Sequence, residues 1–266
     1  MDKPSYGLIG KDIDHSLSPD IHNFLFEKNS LDARYGLFDI DNLQEIKEHL
    51  EKNNIEGANV TKPYKIDIMG YLDELENSAK RIGSVNTVTI ERGRTVGCNT
   101  DGLGAKDSLE YFTSIKDKSI LQIGAGGAGR AIAYVLSKSA DVTVLNRTIK
   151  KAKKLERFGL DADKLNKKNL KKSLNDCDIL INTTFVGMNE DRSLVPRSYL
   201  DETIMVFDIV YTPLKTRLLR DAKETGCETI DGLWMLIHQA VHSFKVWTDL
   251  EADPEEIRRF LMEEGS

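Results

Sequence analysis

Gly124-Ala125-Gly126-Gly127-Ala128-Gly129 stands between Ile120-Leu121-Gln122-Ile123 and Ile132, Val135 and Leu136, which recur at helical spacing. Strand, GxGxxG turn and helix, in that order, open a βαβ unit and commit this part of the chain to a parallel sheet. The glycines have a physical reason. A side chain would hold the backbone away from a pyrophosphate, whose charge is received by the amides of the helix N-terminus. Gly124, Ala125, Gly126, Gly127 and Ala128 are therefore candidate contacts to a dinucleotide; the blander alternative is a turn that only joins strand to helix. The end of the next strand bears on which dinucleotide. An NAD-selective site carries Asp or Glu about twenty residues beyond the first glycine; here Asn146-Arg147-Thr148 occupy that place. A carboxylate would repel a 2′-phosphate, whereas the Arg147 guanidinium can clamp one while Asn146 or Thr148 adds hydrogen bonds, so NADP is favoured over NAD. A surface arginine at a strand end is the competing reading.

Apolar runs alternate with amphipathic stretches along the rest of the chain, and the fold class is α/β. Tyr6 to Ile9 reads as a strand, and Ser18-Pro19 opens a helix with Ile21, Phe24 and Leu25 on its buried face. A strand from Ala33 to Ile40, a helix over 41–53 and a strand from Gly57 to Thr61 continue the alternation. Residues 83–98 differ: β-branched residues flank Arg92-Gly93, which predicts a hairpin and a domain margin. Beyond it come a helix from Asp101 to Phe112, strands at Val142 to Leu145, Asp178 to Asn182 and Met205 to Val210, and a helical tail from Gly232. Lys164 to Lys172 is lysine-rich and reads as a solvated helix face. There is no internal repeat and no low-complexity linker.

With 266 residues the chain has room for one or two domains. Hydrophobic residues at 40% and charged residues at 30% describe a packed core under an ordinary polar surface. A formal charge of -6 argues against nucleic acid as a partner, because phosphate recognition needs a basic stripe. Cys98, Cys177 and Cys227 are odd in number and widely spaced, which suits reduced thiols in a cytoplasm better than disulfides. The opening MDKPSYGLIGKDID lacks a basic flank and apolar core, and no run of about eighteen apolar residues occurs, so neither secretion nor a membrane span is expected. His238 and His242 are four apart on the expected helix, but no third ligand is in view beside them or beside His15, His22 and His49, and no metal is expected.

Four polar clusters lie where the apolar pattern stops, at loop and strand ends. His15-Ser16-Leu17-Ser18-Pro19 sets two hydroxyls on one side of an extended segment, a donor pair sized for a carboxylate. For Ser18 an N-cap role competes, since Ser-Pro also starts helices. Asn59-Val60-Thr61-Lys62-Pro63-Tyr64-Lys65 ends a strand in a proline turn with two lysines. Gly83-Ser84-Val85-Asn86-Thr87 and Gly97-Cys98-Asn99-Thr100-Asp101-Gly102 flank the hairpin and supply an amide and a carboxylate suited to hydroxyl groups; singly, each could be a turn.

Taken together, these residues resemble the shikimate dehydrogenase family. The Ser-Leu-Ser run, NVTKPYK, VNT, NTDG, the glycine turn followed by NRT, the segment from Asp208 to Thr216 and the run from Gly232 to Ala240 occur in order over nearly the whole chain. Methylene-tetrahydrofolate dehydrogenases share the overall plan but not this set. The resemblance implies an N-terminal α/β substrate-binding domain over 1–101, completed by C-terminal helices over about 238–266, a Rossmann-like NADP-binding domain over 102–237, and a cleft between them. It implies reversible NADPH-dependent reduction of 3-dehydroshikimate to shikimate in aromatic amino acid biosynthesis, by a cytoplasmic monomer or homodimer whose partners are small molecules. Ser16 and Ser18 would hold the substrate carboxylate with Tyr211 assisting. Thr61, Asn86, Asp101 and Gln239 would meet ring hydroxyls, Lys65 would sit beside the reacting oxygen, and the nicotinamide would touch backbone near Ile209 and Gly232. There are departures: Thr183 and Thr184 stand where the family often has alanine then serine or proline, and Gly129 ends a turn in which serine or alanine is common.

Ketone reduction requires a proton at the carbonyl oxygen, which makes Lys65 and Asp101 the candidate catalytic residues. Lys65 either donates the proton or stabilises developing charge while water relays it, with Asp101 anchoring lysine and substrate. Alkaline pH would then favour alcohol oxidation. Two rival readings stay open: a preference for quinate or an amino analogue of shikimate, and a catalytically silent dinucleotide-binding regulator on the same fold.

Overall fold

The computed structural model describes residues 5–46, 50 and 54–264. The chain divides into two compact units, Met1–Thr100 with Gln239–Ser266, and Asp101–His238. The helix expected over 41–53 falls partly outside the described residues, as does His49; within them Leu43–Glu45 is a single 3-10 turn.

The first unit begins with β1 (Ser5–Gly10), α1 (Ser18–Lys28), β2 (Arg34–Asp39) and β3 (Ile55–Val60), followed by β4 (Glu74–Leu75), α2 (Asn77–Ile82), β5 (Thr87–Glu91) and β6 (Arg94–Cys98). These strands form one sheet in the order β2-β1-β3-β5-β6-β4. The pairs at β1 are parallel, whereas β3-β5 and β5-β6 are antiparallel. The hairpin forms at Arg92-Gly93, where both residues have positive φ, 52° and 76°, the geometry of a tight turn that matches strand twist. Ile9, Ala58, Val60, Val85 and Val88 join Ile68 and Ala79 in the unit's core.

In the second unit come α3 (Asp101–Glu110), β7 (Ser119–Ile123), α4 (Gly127–Leu136), β8 (Asp141–Asn146), α5 (Ile149–Lys153), β9 (Asp161–Lys164), α6 (Lys167–Leu174), β10 (Ile179–Asn182), β11 (Met205–Asp208), α7 (Arg217–Glu224) and β12 (Thr229–Ile230). The sheet order is β12-β11-β10-β7-β8-β9, and every pairing in it is parallel. Counted within the unit, this is the 3-2-1-4-5-6 order of a doubly wound dinucleotide-binding sheet, with its switch point between β7 and β10. Alternate residues feed two cores: Ile120 and Ile179 pack on one face, Leu121 and Leu180 on the other. The edge strands β9 and β12 were not anticipated, and the lysine-rich stretch from Lys164 splits between β9 and the exposed face of α6.

The division between units falls within α8 (Gly232–Thr248), and α9 (Pro254–Glu264) completes the first unit. The α8 residues that belong to that unit pack on its sheet: the Trp247 indole donates to Val88 O at 3.1 Å, and a Cβ on Gly57 would lie 2.5 Å from Trp247 Nε1. Phe24, expected in the core, is only half-buried and stacks on Phe260 of α9 at 4.4 Å; His22 and Phe26 fill the buried face instead.

Candidate active site

In the second unit β7 runs into the glycine turn. Gly124 has φ +117°, and its N–H donates to Leu145 O at 2.9 Å. The three motif glycines do different work. A Cβ on Gly124 would strike Thr183 Oγ1, and one on Gly129 would lie 2.7 Å from the same oxygen and 2.9 Å from Gly124 O. A Cβ on Gly126 would meet nothing within 4 Å, so that position faces open space directly before α4. Buried Gln122 braces the turn from below, its Nε2 donating to Gly124 O and Gly129 O at 2.8 Å each. Two glycines that close the turn and one that opens onto space at a helix N-terminus fit a pyrophosphate.

At the end of β8, Asn146 Nδ2 donates to Thr148 O at 2.9 Å, while Arg147 and Thr148 are exposed. Thr148 occupies the N-cap position of α5 without making a side-chain cap bond. An exposed guanidinium and hydroxyl here, with no carboxylate at the strand end, fit a phosphorylated ribose.

Beyond β11, the loop carrying Ile209 and Tyr211 hangs from a single carboxylate. Asp208, 0% exposed, accepts from Asn182 Nδ2 at 2.9 Å, from Val210 N–H at 3.1 Å and from Thr216 Oγ1 at 2.7 Å. Burial pushes its carboxyl up to about 6, against the pull of those donors. Gly232 belongs to the same arrangement, because a Cβ there would strike the carbonyl of Ile209.

The first unit holds a buried polar network. Ser16 Oγ lies 3.2 Å from Ser18 Oγ and accepts from Ser18 N–H at 3.2 Å. Ser18 is buried and does not cap its helix; its hydroxyl instead reaches the side chain of Tyr35. Tyr35, whose phenol burial holds well above its ordinary range, donates to Asn59 Oδ1 at 2.8 Å. Asn59 Nδ2 donates to Ser243 Oγ at 2.9 Å and to Thr87 Oγ1 at 3.2 Å. Thr87 Oγ1 donates to Asn86 Oδ1 at 3.0 Å, and Asn86 Nδ2 reaches Thr100 Oγ1 at 2.9 Å and Gln239 Oε1 at 3.3 Å. Two sequence candidates, Asn86 and Gln239, thus touch, while Ser16 and Ser18 pair with each other in the same unit. The Thr100 N–H fixes the Asn86 amide by donating to its Oδ1 at 2.7 Å, since a backbone amide can only donate.

His22 lies against this network, stacked on Tyr35 at 4.4 Å. Neither ring nitrogen makes a well-formed hydrogen bond, although Asn59 lies near, and burial pushes the imidazole down to about 3, so it is neutral.

Thr61 and Lys65 are half-buried in the turn after β3. Thr61 N–H donates to Ile9 O at 2.8 Å, and Lys65 O accepts from Val85 N–H at 2.7 Å, which ties the turn to strand β1 and to the segment before β5. Asp101 is buried as the first residue of α3, and Tyr211 is half-buried. Tyr35, Ser243 and Gln122 lie outside the clusters named from the sequence, and Asn59, Thr87 and Asp208 lie within named segments without an individual role. Their signal was a polar residue inside an otherwise apolar element, as with Asn59 in IEGANV and Gln122 in SILQI. Among the described residues no group of three or more His, Cys, Asp or Glu is placed to hold a metal ion, and no helix is long and apolar enough to cross a membrane.

A doubly wound parallel sheet with this turn, joined in one chain to a separate α/β unit rich in buried amides and hydroxyls, places the chain in the class of two-unit dinucleotide-binding proteins. Family models match residues 8–88 as a shikimate dehydrogenase substrate binding domain, 105–213 as shikimate / quinate 5-dehydrogenase and 232–262 as a shikimate 5′-dehydrogenase C-terminal domain. The chain is 50% identical over 258 residues to the shikimate dehydrogenase (NADP+) of Pyrococcus abyssi, covering 97% of each. It superposes on a crystal structure of shikimate dehydrogenase in complex with NADP+ with TM-score 0.91, at 38% identity, over 98% of this chain and 96% of that one. The Thermus thermophilus shikimate 5-dehydrogenase, in complex with NADP(H) and shikimate, gives 0.89 at 35% identity over 98% and 99%. The chain belongs to the shikimate dehydrogenase family.

Proposed function

We propose that this chain catalyses the reversible NADPH-dependent reduction of 3-dehydroshikimate to shikimate, a step of aromatic amino acid biosynthesis. The observation that carries the reading is the buried hydrogen-bonded network joining Asn59, Thr87, Asn86, Ser243 and Gln239, in a unit that also holds the paired hydroxyls of Ser16 and Ser18 and in a family whose relatives bear this activity. It presents hydroxyls and fixed amides of the kind a carboxylated, polyhydroxylated ring requires.

The first unit is assigned to the substrate and the second to NADP. Ser16 and Ser18 bind the carboxylate, assisted by Tyr211. Thr61, Asn86, Asp101 and Gln239 pair with ring hydroxyls. Gly124, Ala125, Gly126, Gly127 and Ala128 receive the pyrophosphate, Asn146, Arg147 and Thr148 the 2′-phosphorylated ribose, and the backbone at Ile209 and Gly232 the nicotinamide. When bound, NADPH supplies the hydride that reduces the ketone carbon. Lys65 delivers a proton to the ketone oxygen and Asp101 orients both lysine and substrate. In the reverse direction a proton is released, so alkaline pH favours oxidation of the alcohol. The three buried, unpaired cysteines suit a cytoplasmic enzyme, monomeric or homodimeric, with small molecules as its partners.

The test is the loss of NADPH absorbance on adding 3-dehydroshikimate, with NADH and 3-dehydroquinate as controls. Turnover with NADPH and 3-dehydroshikimate is expected. Turnover with 3-dehydroquinate alone would move the activity to quinate, and NADPH binding without any turnover would replace the enzyme with a silent regulator.

A further inference from the structure

Phe185, 64% exposed, follows β10 in the second unit, in a loop closed by hydrogen bonds. Asn182 Oδ1 accepts from Thr184 N–H at 3.1 Å and from Thr184 Oγ1 at 2.7 Å. Val186 N–H donates to Thr184 Oγ1 at 3.2 Å, Asn182 Nδ2 donates to Val186 O at 3.2 Å, and Met188 N–H donates to Phe185 O at 3.1 Å. These bonds on both sides of Phe185 fix the backbone from which its ring projects. The loop's other anchors reach the glycine turn: Thr183 N–H donates to Ile123 O at 2.8 Å, and Thr183 Oγ1 is the atom a Cβ on Gly124 or Gly129 would strike.

In a doubly wound sheet the dinucleotide lies outside the carboxyl ends of the strands at the switch point, here between β7 and β10. Arg147 directly follows β8, on one side of β7, where the adenosine half is assigned. Phe185 follows β10 on the other side, where the nicotinamide half extends. An aromatic ring held out at that rim is suited to cover a flat heterocycle and its ribose. We propose that Phe185 is a cofactor-binding residue specific to the nicotinamide nucleoside, setting affinity for the whole dinucleotide without touching its adenosine half. This rests on the reading that the turn binds NADP.

The test is calorimetric titration of the wild-type chain, Phe185→Ala and Phe185→Leu with NADPH and with adenosine 2′,5′-bisphosphate, which lacks the nicotinamide half. Phe185→Ala is expected to weaken NADPH about five- to tenfold and the bisphosphate less than about twofold, with Phe185→Leu between. Equal weakening of both ligands would mean the loop had been disturbed, and unchanged NADPH affinity would mean that the ring touches no cofactor; either overturns the proposal. If the wild-type chain binds neither ligand, the NADP reading falls first and this inference with it.

Discussion

Gly129 and Thr183 are far apart in sequence, yet the structure places them in one contact, and this can be tested as a coupled pair. In Gly129→Ala the new methyl lies 2.7 Å from Thr183 Oγ1 and 2.9 Å from Gly124 O. Relieving that overlap by shifts of a few tenths of an ångström costs roughly 1–3 kcal/mol. The alanine recovers about 1 kcal/mol of helix propensity in α4, leaving a net loss of about 1 kcal/mol. Thr183→Ala removes the 3.0 Å hydrogen bond to Ile123 O and costs about 1 kcal/mol alone. In the double variant the closest of the two clashes has gone, so its stability should exceed the additive expectation by about 1 kcal/mol. Urea unfolding of all four proteins at matched m-values measures this, with NADPH titration confirming that the turn still binds. Additivity within about 0.3 kcal/mol would refute the claim that Thr183 is what requires glycine at 129.

Gly126→Ala should separate binding from folding: its φ of -79° suits any residue and its Cβ meets no protein atom, so stability should change by less than about 0.5 kcal/mol while NADPH weakens about ten- to a hundredfold. Retained affinity would remove the pyrophosphate from this position. Arg147→Asp should raise the NADPH dissociation constant by about ten- to a hundredfold and shift preference towards NADH; unchanged selectivity would make Arg147 a surface residue. Lys65→Met should lower kcat by about a hundredfold or more with little change in KM, whereas a rise in KM alone would contradict proton delivery by this side chain. Asp208 binds its proton more tightly when folded, at about 6 against an ordinary 3.8, so unfolding stability should fall as pH rises from about 4 to above 6, by roughly 3 kcal/mol. Asp208→Asn should flatten that slope in denaturant titrations, because an amide can keep the bonds to Val210 and Asn182 and donate to Thr216 instead; an unchanged slope would assign it to other groups.

The features legible in the sequence were those whose geometry a few neighbouring residues determine. The glycine turn needs only a strand, three glycines and a helix within about twenty residues, and the hairpin needs only two positive φ values at Arg92-Gly93 between β-branched runs. β9 was missed because only Ala162 of Asp161–Lys164 is buried, which leaves no alternation for a pattern to show. Phe24 was misplaced because periodicity alone cannot tell which residues flanking a stripe will meet α9, more than two hundred residues away. The polar network was invisible for the same reason. Its bonds join Asn59 to Ser243 and Asn86 to Gln239, across separations of 184 and 153 residues, and each member alone reads as a turn or cap residue.

That network also indicates why the substrate side is built as it is. Burying Asn59, Asn86, Thr87, Thr100 and Ser243 together would be costly if any stood alone, and mutual hydrogen bonding offsets the cost only when all are present. Hydroxyls within it can rotate to donate or accept, but the amides cannot. Tyr35 holds the Asn59 oxygen and the Thr100 N–H holds the Asn86 oxygen, so the Asn86 nitrogen faces Thr100 Oγ1 and Gln239 Oε1, and Gln239 is turned by that contact. On the proposed reading, the orientation of the amides beside the substrate is therefore set by the fold before the substrate arrives. The proposed substrate site should then reject an analogue lacking one hydroxyl more strongly than one bearing an extra methylene, because a fixed, buried amide has no second conformation in which to recover a lost bond; equal affinity for the two analogues in a binding titration would refute this.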